Sequence, residues 1–408
     1  MELSMDILVK RFKDYVSFDT QSDEDNDQAC PSTPGQMVLA KHLAEELKEI
    51  GLSEVELDNH GYVMATLPAN GMEDAPVVGF IAHVDTSPSA SGKDIKPQIV
   101  KNYDGKDIVL NAEKNIIFST KAFPEVLKYQ GQDIMFTDGT TLLGADDKAG
   151  VTAIVSAAEY LSQHPEIKHG KIRLAFTPDE EVGGLAHTLD LQRFGAPVAY
   201  TLDGDHLGWY EDQTFNASEA VLTATGLSVH TGTAKGIMVN ASDICAEFLS
   251  CIPQADRPQY TEGTEGFFHV LGVNSTCEKG EVRVLIRDFD AASFRRREEL
   301  LKKAAEGLNE RYAGRAELRI IPQYRNMGEV LGKYPHLTER LRRAITDCGI
   351  EPVCEPFRGG TDGSSLSWRG LPCPNLSAGY ENAHGRFEYV PIQSMEKNVG
   401  ILLKLVKG

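Results

Sequence analysis

The 408-residue chain is 41% hydrophobic and 25% charged, a globular composition long enough for two domains. Its 41 Lys plus Arg face 60 Asp plus Glu, and a formal charge of -19 argues against nucleic acid or anionic membrane as partner. No apolar run approaches the roughly 20 residues of a membrane span, and the acidic N-terminus lacks a signal peptide's basic region and apolar core, so the expected location is the cytoplasm.

Ile7, Leu8, Phe12, Tyr15 and Val16 fall at helical spacing behind Ser4, a capping residue type. Thr33-Pro34-Gly35-Gln36 carries the capping-box pattern with proline at the first helical position, predicting a helix to Ile50 that ends at Gly51. Strands are expected near 55–57, 62–67 and 77–82. The last is continuously apolar, as a strand buried on both faces should be. It ends in His83-Val84-Asp85, with the histidine and the acid on one face. A carboxylate there can fix the tautomer of a metal-binding imidazole, although a lone histidine at a strand end is also a common structural residue.

A long loop rich in Lys and Asp should follow, then a short strand over 133–137. Gly144-Ala145-Asp146-Asp147-Lys148 leads into a helix whose buried face is Val151, Ile154, Val155, Ala158 and Leu161. Two acids at its positive dipole end suggest one cap and one ligand. The apolar run Ile172–Phe176 stops before Pro178, and Asp179, Glu180 and Glu181 follow at once. Neighbouring carboxylates on an extended chain point apart, so one can bind a cation while the other handles a proton. A solvated acidic turn is the plainer alternative. Another apolar strand, 198–202, ends in Asp203-Gly204-Asp205. His83, Asp146, Glu180, Glu181 and Asp203 thus all stand at strand ends or strand–helix junctions, where open α/β sheets keep their ligands.

From about 217 to 322 the pattern changes to strand (220–225), helix (242–252), strand (267–276), strand (281–288), helix (292–312), strand (317–321), with a hairpin turn at 278–280. This β-α-β-β-α-β order matches a ferredoxin-like unit inserted into the first domain. A helix over 337–348, a Gly-rich loop at 359–363, a short apolar segment leading to His384, and a helix over about 392–406 complete the first domain. The expected architecture is α/β: a mostly parallel central sheet in 1–215 and 323–408, and an α+β ferredoxin-like lid or dimerisation domain in 216–322. The seven cysteines, odd in number and without a close CxxC pair, read as reduced thiols.

His83, Asp146, Glu181, Asp203 and His384 together offer two imidazoles and three carboxylates. That set suits two divalent metals about 3.5–4 Å apart, with one carboxylate shared between them. Without cysteine among them, zinc, cobalt and manganese all fit.

His83-Val-Asp85, Gly144-Ala-Asp-Asp-Lys148 and Asp179-Glu-Glu-Val-Gly183 resemble motifs of the two-zinc metallopeptidases that include glutamate carboxypeptidase and aminoacylase. Leu67-Pro-Ala-Asn70, Gly232-Thr-Ala-Lys-Gly236, Arg287-Asp-Phe-Asp290, Arg358-Gly-Gly-Thr-Asp-Gly363 and Gly370-Leu-Pro-Cys-Pro-Asn375 extend the likeness along almost the whole chain, most closely to the family's tripeptide aminopeptidases. The resemblance implies two zinc ions per subunit, with cobalt or manganese as substitutes. Asp146 would bridge them, His83 and Asp203 would complete one site, and Glu181 and His384 the other. Glu180 would be the general base acting on a hydroxide that bridges the metals, and Asp85 would orient His83. His230 would steady the oxyanion across a homodimer interface. Arg287 and Asn240 would hold the peptide substrate, Arg287 at its carboxylate. Plainer readings of these last positions are an exposed loop histidine and a surface arginine paired with Asp288. Thr231 stands where a proline follows that histidine in relatives, and Asp205 where a glycine is expected. A related carboxypeptidase, dipeptidase or deacylase, or a non-catalytic metal-binding scaffold, are the alternatives.

Overall fold

Apolar residues at three- and four-residue spacing wind the N-terminal segment into α1 (Met5–Val16), which buries Leu8, Phe12, Tyr15 and Val16. The computed structural model describes residues 4–26, 28–184 and 186–407. Helix α2 (Pro34–Ile50) starts on a proline and stops at left-handed Gly51. The expected capping box is not formed. Thr33 Oγ1 donates instead to Gln21 O, and buried Gln36 turns its amide back toward Ser32, Thr33 and the Asp179 carboxylate. The Gln36 amide is used up on Asp179, Nε2 donating to its carboxylate and Oε1 accepting from its N–H, so no side-chain oxygen is left to accept from the Thr33 N–H.

β1 (Ser53–Leu57), β2 (Val63–Leu67) and β3 (Val78–His83) follow. The stretch expected to be one long loop contains β4 (Gln98–Val100), β5 (Ile108–Asn111), β6 (Ile116–Phe118) and a 3-10 turn before β7 (Ile134–Phe136). These are strands of three or four residues, too short to carry a legible period. They enclose a small core of Tyr103, Leu110, Phe118, Val126, Phe136 and Tyr389. α3 (Ala145–Gln163), β8 (Ile172–Thr177), α4 (Leu191–Phe194), β9 (Val198–Gly204) and β10 (Trp209–Glu211) come next.

The chain divides into two compact units. The first comprises the chain up to Asp212, Glu329–Glu355 and the chain from Thr361 on; the second comprises Gln213–Gly328 and Pro356–Gly360. The second unit runs β11 (Asn216–Thr225), α5 (Ala241–Ser250), β12 (Phe267–Ser275), β13 (Lys279–Asp288), α6 (Ala291–Arg311) and β14 (Ala316–Tyr324). Its sheet is antiparallel in the order β12-β13-β11-β14. Alternate residues of β13 are buried, and Val282, Val284 and Ile286 pack with Ile244 and Phe248 of α5 and Leu301 and Leu308 of α6.

α7 (Gly328–Leu331), α8 (Pro335–Asp347), β15 (Val353–Cys354), α9 (Asp362–Trp368), β16 (Asn375–Ser377), β17 (Val390–Pro391) and α10 (Ile392–Leu405) end the chain. The first unit's main sheet is mixed, in the order β1-β2-β8-β3-β9-β16-β10-β15. It is parallel through its middle, β8-β3-β9-β16. On one face Phe80 and Leu174 line an apolar crevice together with Ile154 and Ala157 of α3 and Leu402 of α10. On the other, Ile81 and Ala175 join Phe194 and Leu366. The carboxyl ends of β3, β8 and β9 therefore emerge side by side.

Candidate metal centre

His83 is the last residue of β3, and Asp203 lies near the carboxyl end of β9, the strand beside it. β8 ends at Thr177. There Asp179, with a left-handed φ of 58°, swings Glu180 and Glu181 into a single 3-10 turn. The Asp179 carboxylate accepts from Ser32 N, Ser32 Oγ and Gln36 Nε2, so α2 and the segment before it hold the turn. Asp146 and Asp147 precede the regular part of α3 with non-helical dihedrals. His384 stands on the strap between β16 and β17, also at a left-handed φ of 62°.

These side chains converge. His83 Nε2 is 3.0 Å from Asp146 Oδ1 and 3.3 Å from Asp203 Oδ1. His384 Nε2 is 3.0 Å from the other Asp146 oxygen and 2.9 Å from Glu181 Oε2. Asp146 thus turns one oxygen to each histidine. Among the described residues, two sets of donor atoms are close enough together to hold an ion: His83 with Glu180 and Asp203, and His83 with Asp146 and Glu181. Asp85 lies behind His83, its Oδ1 3.3 Å from Nδ1, while its two oxygens accept from Glu180 N and Glu181 N. One carboxylate thereby ties the histidine to the glutamate turn. Asp147 points the other way: its oxygens accept from His83 N and Gly150 N, both at 3.2 Å, which joins a cap to a clamp on β3.

Burial and crowding set the charges. Burial, and next the charge of Asp203, pushes the Glu180 carboxyl well above its usual range. Burial, and then Asp146, lifts Glu181 to about 7. Burial raises Asp203 to about 6. For Asp146 burial pushes upward, but hydrogen bonds to His384 and His83 outweigh it and hold the carboxyl below the usual range. Burial likewise opposes a charge on the two imidazoles, yet the surrounding carboxylates raise both, His384 to about 11. Four clustered carboxylates against two imidazoles leave an excess of negative charge, and Glu181 Oε1 is buried without a hydrogen-bond partner. Divalent cations answer both, so the residues present fit a metal centre.

The residues expected in the inserted unit are not gathered into a comparable cluster there. His230 is exposed and its Nδ1 accepts from Gly232 N. Asn240 caps α5 by accepting from Ser242 N. Arg287 donates to Ser218 O and Ile286 O and lies 5.3 Å from the Tyr324 ring centre. Asp288 pairs with Arg297, not with Arg287.

The pattern that defines peptidase family M20/M25/M40 matches residues 139–408. The chain belongs to this family. It is 49% identical over 401 residues to peptidase T of Bacillus velezensis, covering 98% of each chain. It is 50% identical over 404 residues to peptidase T of Caldanaerobacter subterraneus, covering 99% of this chain and 98% of the relative. Among solved structures, aminopeptidase PepT of Bacillus cereus superposes with a TM-score of 0.77 at 23% identity, covering 100% of this chain and 99% of that one. A Bacillus subtilis protein described as a dinuclear metal binding peptidase of the M20 family gives 0.67 at 14% identity, covering 99% and 97%. M20 membership and the carboxylate–imidazole cluster together make this a metal-dependent enzyme. No helix among the described residues is long and apolar enough to cross a membrane.

Motif reading missed several supports of the M20 centre. Asp362 is buried, with Oδ2 accepting from Thr177 Oγ1 at 2.5 Å, and burial lifts its carboxyl to about 7. Lys148 is fully buried, its ammonium donating to Phe18 O at 3.1 Å, and burial drops it to about 7. Tyr380 donates to Asp203, and Glu388 binds the loop that carries Asp146. An isolated acid inside the run Phe387-Glu388-Tyr389-Val390 is the one signal that could have drawn attention to Glu388.

Proposed function

We propose that the protein is a metal-dependent aminopeptidase that removes the N-terminal residue from tripeptides. The observation that carries this reading is the Asp146 carboxylate shared between His83 and His384, with Glu180 and Glu181 on the adjoining turn. The identity of about half to peptidase T along nearly the full length supports the substrate class.

In this reading His83, Asp203, Glu181, His384 and Asp146 are the residues that would hold the metal, with Asp146, which faces both histidines, the carboxylate that would serve both positions. Two zinc ions there, or cobalt or manganese in their place, would polarise the scissile carbonyl and acidify the attacking water. Glu180, half-buried and with its proton affinity raised, takes the proton from that water and returns it to the leaving amine. Asp85 keeps the His83 ring in the orientation that points Nε2 at the centre. We extend the reading to the second unit. His230 steadies the oxyanion from a partner subunit of a homodimer, Arg287 holds the peptide carboxylate in its planar fork, and Asn240 adds a substrate contact. The seven free cysteines suit a cytoplasmic enzyme.

Hydrolysis of matched di-, tri- and tetrapeptides with added zinc, products identified by mass, tests the proposal. Release of the N-terminal residue mainly from the tripeptide is expected. Release from the C-terminus, or hydrolysis only of acylated amino acids, would overturn the substrate class.

A further inference from the structure

Glu388 is 1% exposed and lies four residues beyond His384 on the same strap. Both of its oxygens are committed to main chain. Oε2 accepts from Leu143 N at 2.7 Å and Gly144 N at 2.8 Å, and Oε1 accepts from Asp146 N at 2.9 Å. The loop makes this cradle because Gly144 takes a left-handed φ of 74° and Asp146 an extended ψ of 106° inside an otherwise helical stretch. A buried carboxylate taking three N–H groups makes short, charge-assisted bonds. A glutamine offers one oxygen and turns an NH2 toward donors that cannot accept it.

The strap does more than carry His384. Tyr380 OH donates to Asp203 O and to Asp203 Oδ1, both at 3.3 Å. Glu381 and Tyr389 exchange main-chain hydrogen bonds of 2.9 and 3.0 Å, which close the strap so that His384 and Glu388 are held on one short loop. The left-handed φ of His384 is a conformation that a non-glycine residue keeps only where its surroundings impose it.

From this we infer that Glu388 is a positioning residue. It aims the carboxylate that both metal sites share, and residues 379–390 act as one strap supporting Asp146, Asp203 and His384 together. The inference rests on the proposed metal centre, and the two residues it adds, Glu388 and Tyr380, have no place among the ligands.

The test is zinc titration of metal-free protein against a chromophoric chelator, with thermal melting of the same metal-free samples. Wild type should take up two ions. Glu388→Gln should lose about 10–100-fold in affinity at both steps, because Asp146 serves both, while the metal-free protein melts within a few degrees of wild type. Tyr380→Phe should weaken one step and leave the other unchanged. Affinities within threefold of wild type in Glu388→Gln would overturn the inference, whatever its stability. Should that variant not fold, Tyr380→Phe decides: one weakened step supports the strap, and two unchanged steps overturn it. A wild type that binds no zinc would fail the functional reading itself, and the inference with it.

Discussion

In the first unit His83, Asp85, Asp146, Asp147 and Glu388 are buried and bond to one another or to the turns that carry them. In the second unit His230 is exposed, Asn240 is spent on a helix cap, and Arg287 bonds to neighbouring carbonyls. The first arrangement is organised before any substrate arrives, because each carboxylate is pinned by donors from a different element. The second consists of side chains held mostly by their own segment, so a catalytic role for them must be created by what binds. The lesson concerns preorganisation: electrostatic groups act most strongly where burial and cross-linking have already set their geometry.

The largest expected effect falls on the preorganised side. Glu180→Gln should lower kcat by 10²–10⁴-fold while zinc content stays at the wild-type value, since an amide of the same shape cannot shuttle the proton. Steady-state kinetics beside metal analysis checks this, and activity within tenfold of wild type would remove Glu180 as the base. On the other side, His230→Ala should leave zinc affinity untouched and cost about 10²–10³-fold in kcat, the scale of one oxyanion donor. If zinc affinity falls as well, the contrast between the two units is wrong.

The smallest effect is a pH dependence at the edge of the centre. A hydrogen bond to buried Glu381 raises the pKa of half-buried His206 above the usual 6.5. The folded chain therefore binds this proton more tightly than the unfolded one. Its contribution is complete below pH 6.5 and lost as the pH rises through the raised value. Stabilities of wild type and His206→Asn, followed by thermal melting, should diverge most at the acidic end and converge in alkali, by under about 1 kcal/mol, since His206 keeps part of its ring in solvent. A constant difference from pH 6 to 9 would show that the ion pair contributes nothing.

Much of this was legible because periodicity is local. Alternation in 281–288 and helical spacing in 292–312 describe the second unit's sheet and cover without reference to anything distant. The same holds for the apolar run that carries His83 to a strand end. The capping box at Thr33 misled because the pattern is local but the competitor, Asp179, is 143 residues from Gln36. Glu388 escaped for a similar reason: its three donors lie more than 240 residues away.

Composition and pattern by themselves determined an α/β protein with an inserted α+β unit, and a set of acids and histidines waiting at strand ends. Tertiary structure decided how they are used. Asp146 and Asp147 are chemically identical neighbours, and no pattern within the chain distinguishes them. His83 N and Gly150 N capture Asp147, and Glu388 anchors the main chain of Asp146, so only Asp146 spans the two histidines. The physical reason is that a side chain's direction at a turn is set by which buried donors surround it, and those donors come from parts of the chain that only folding brings together.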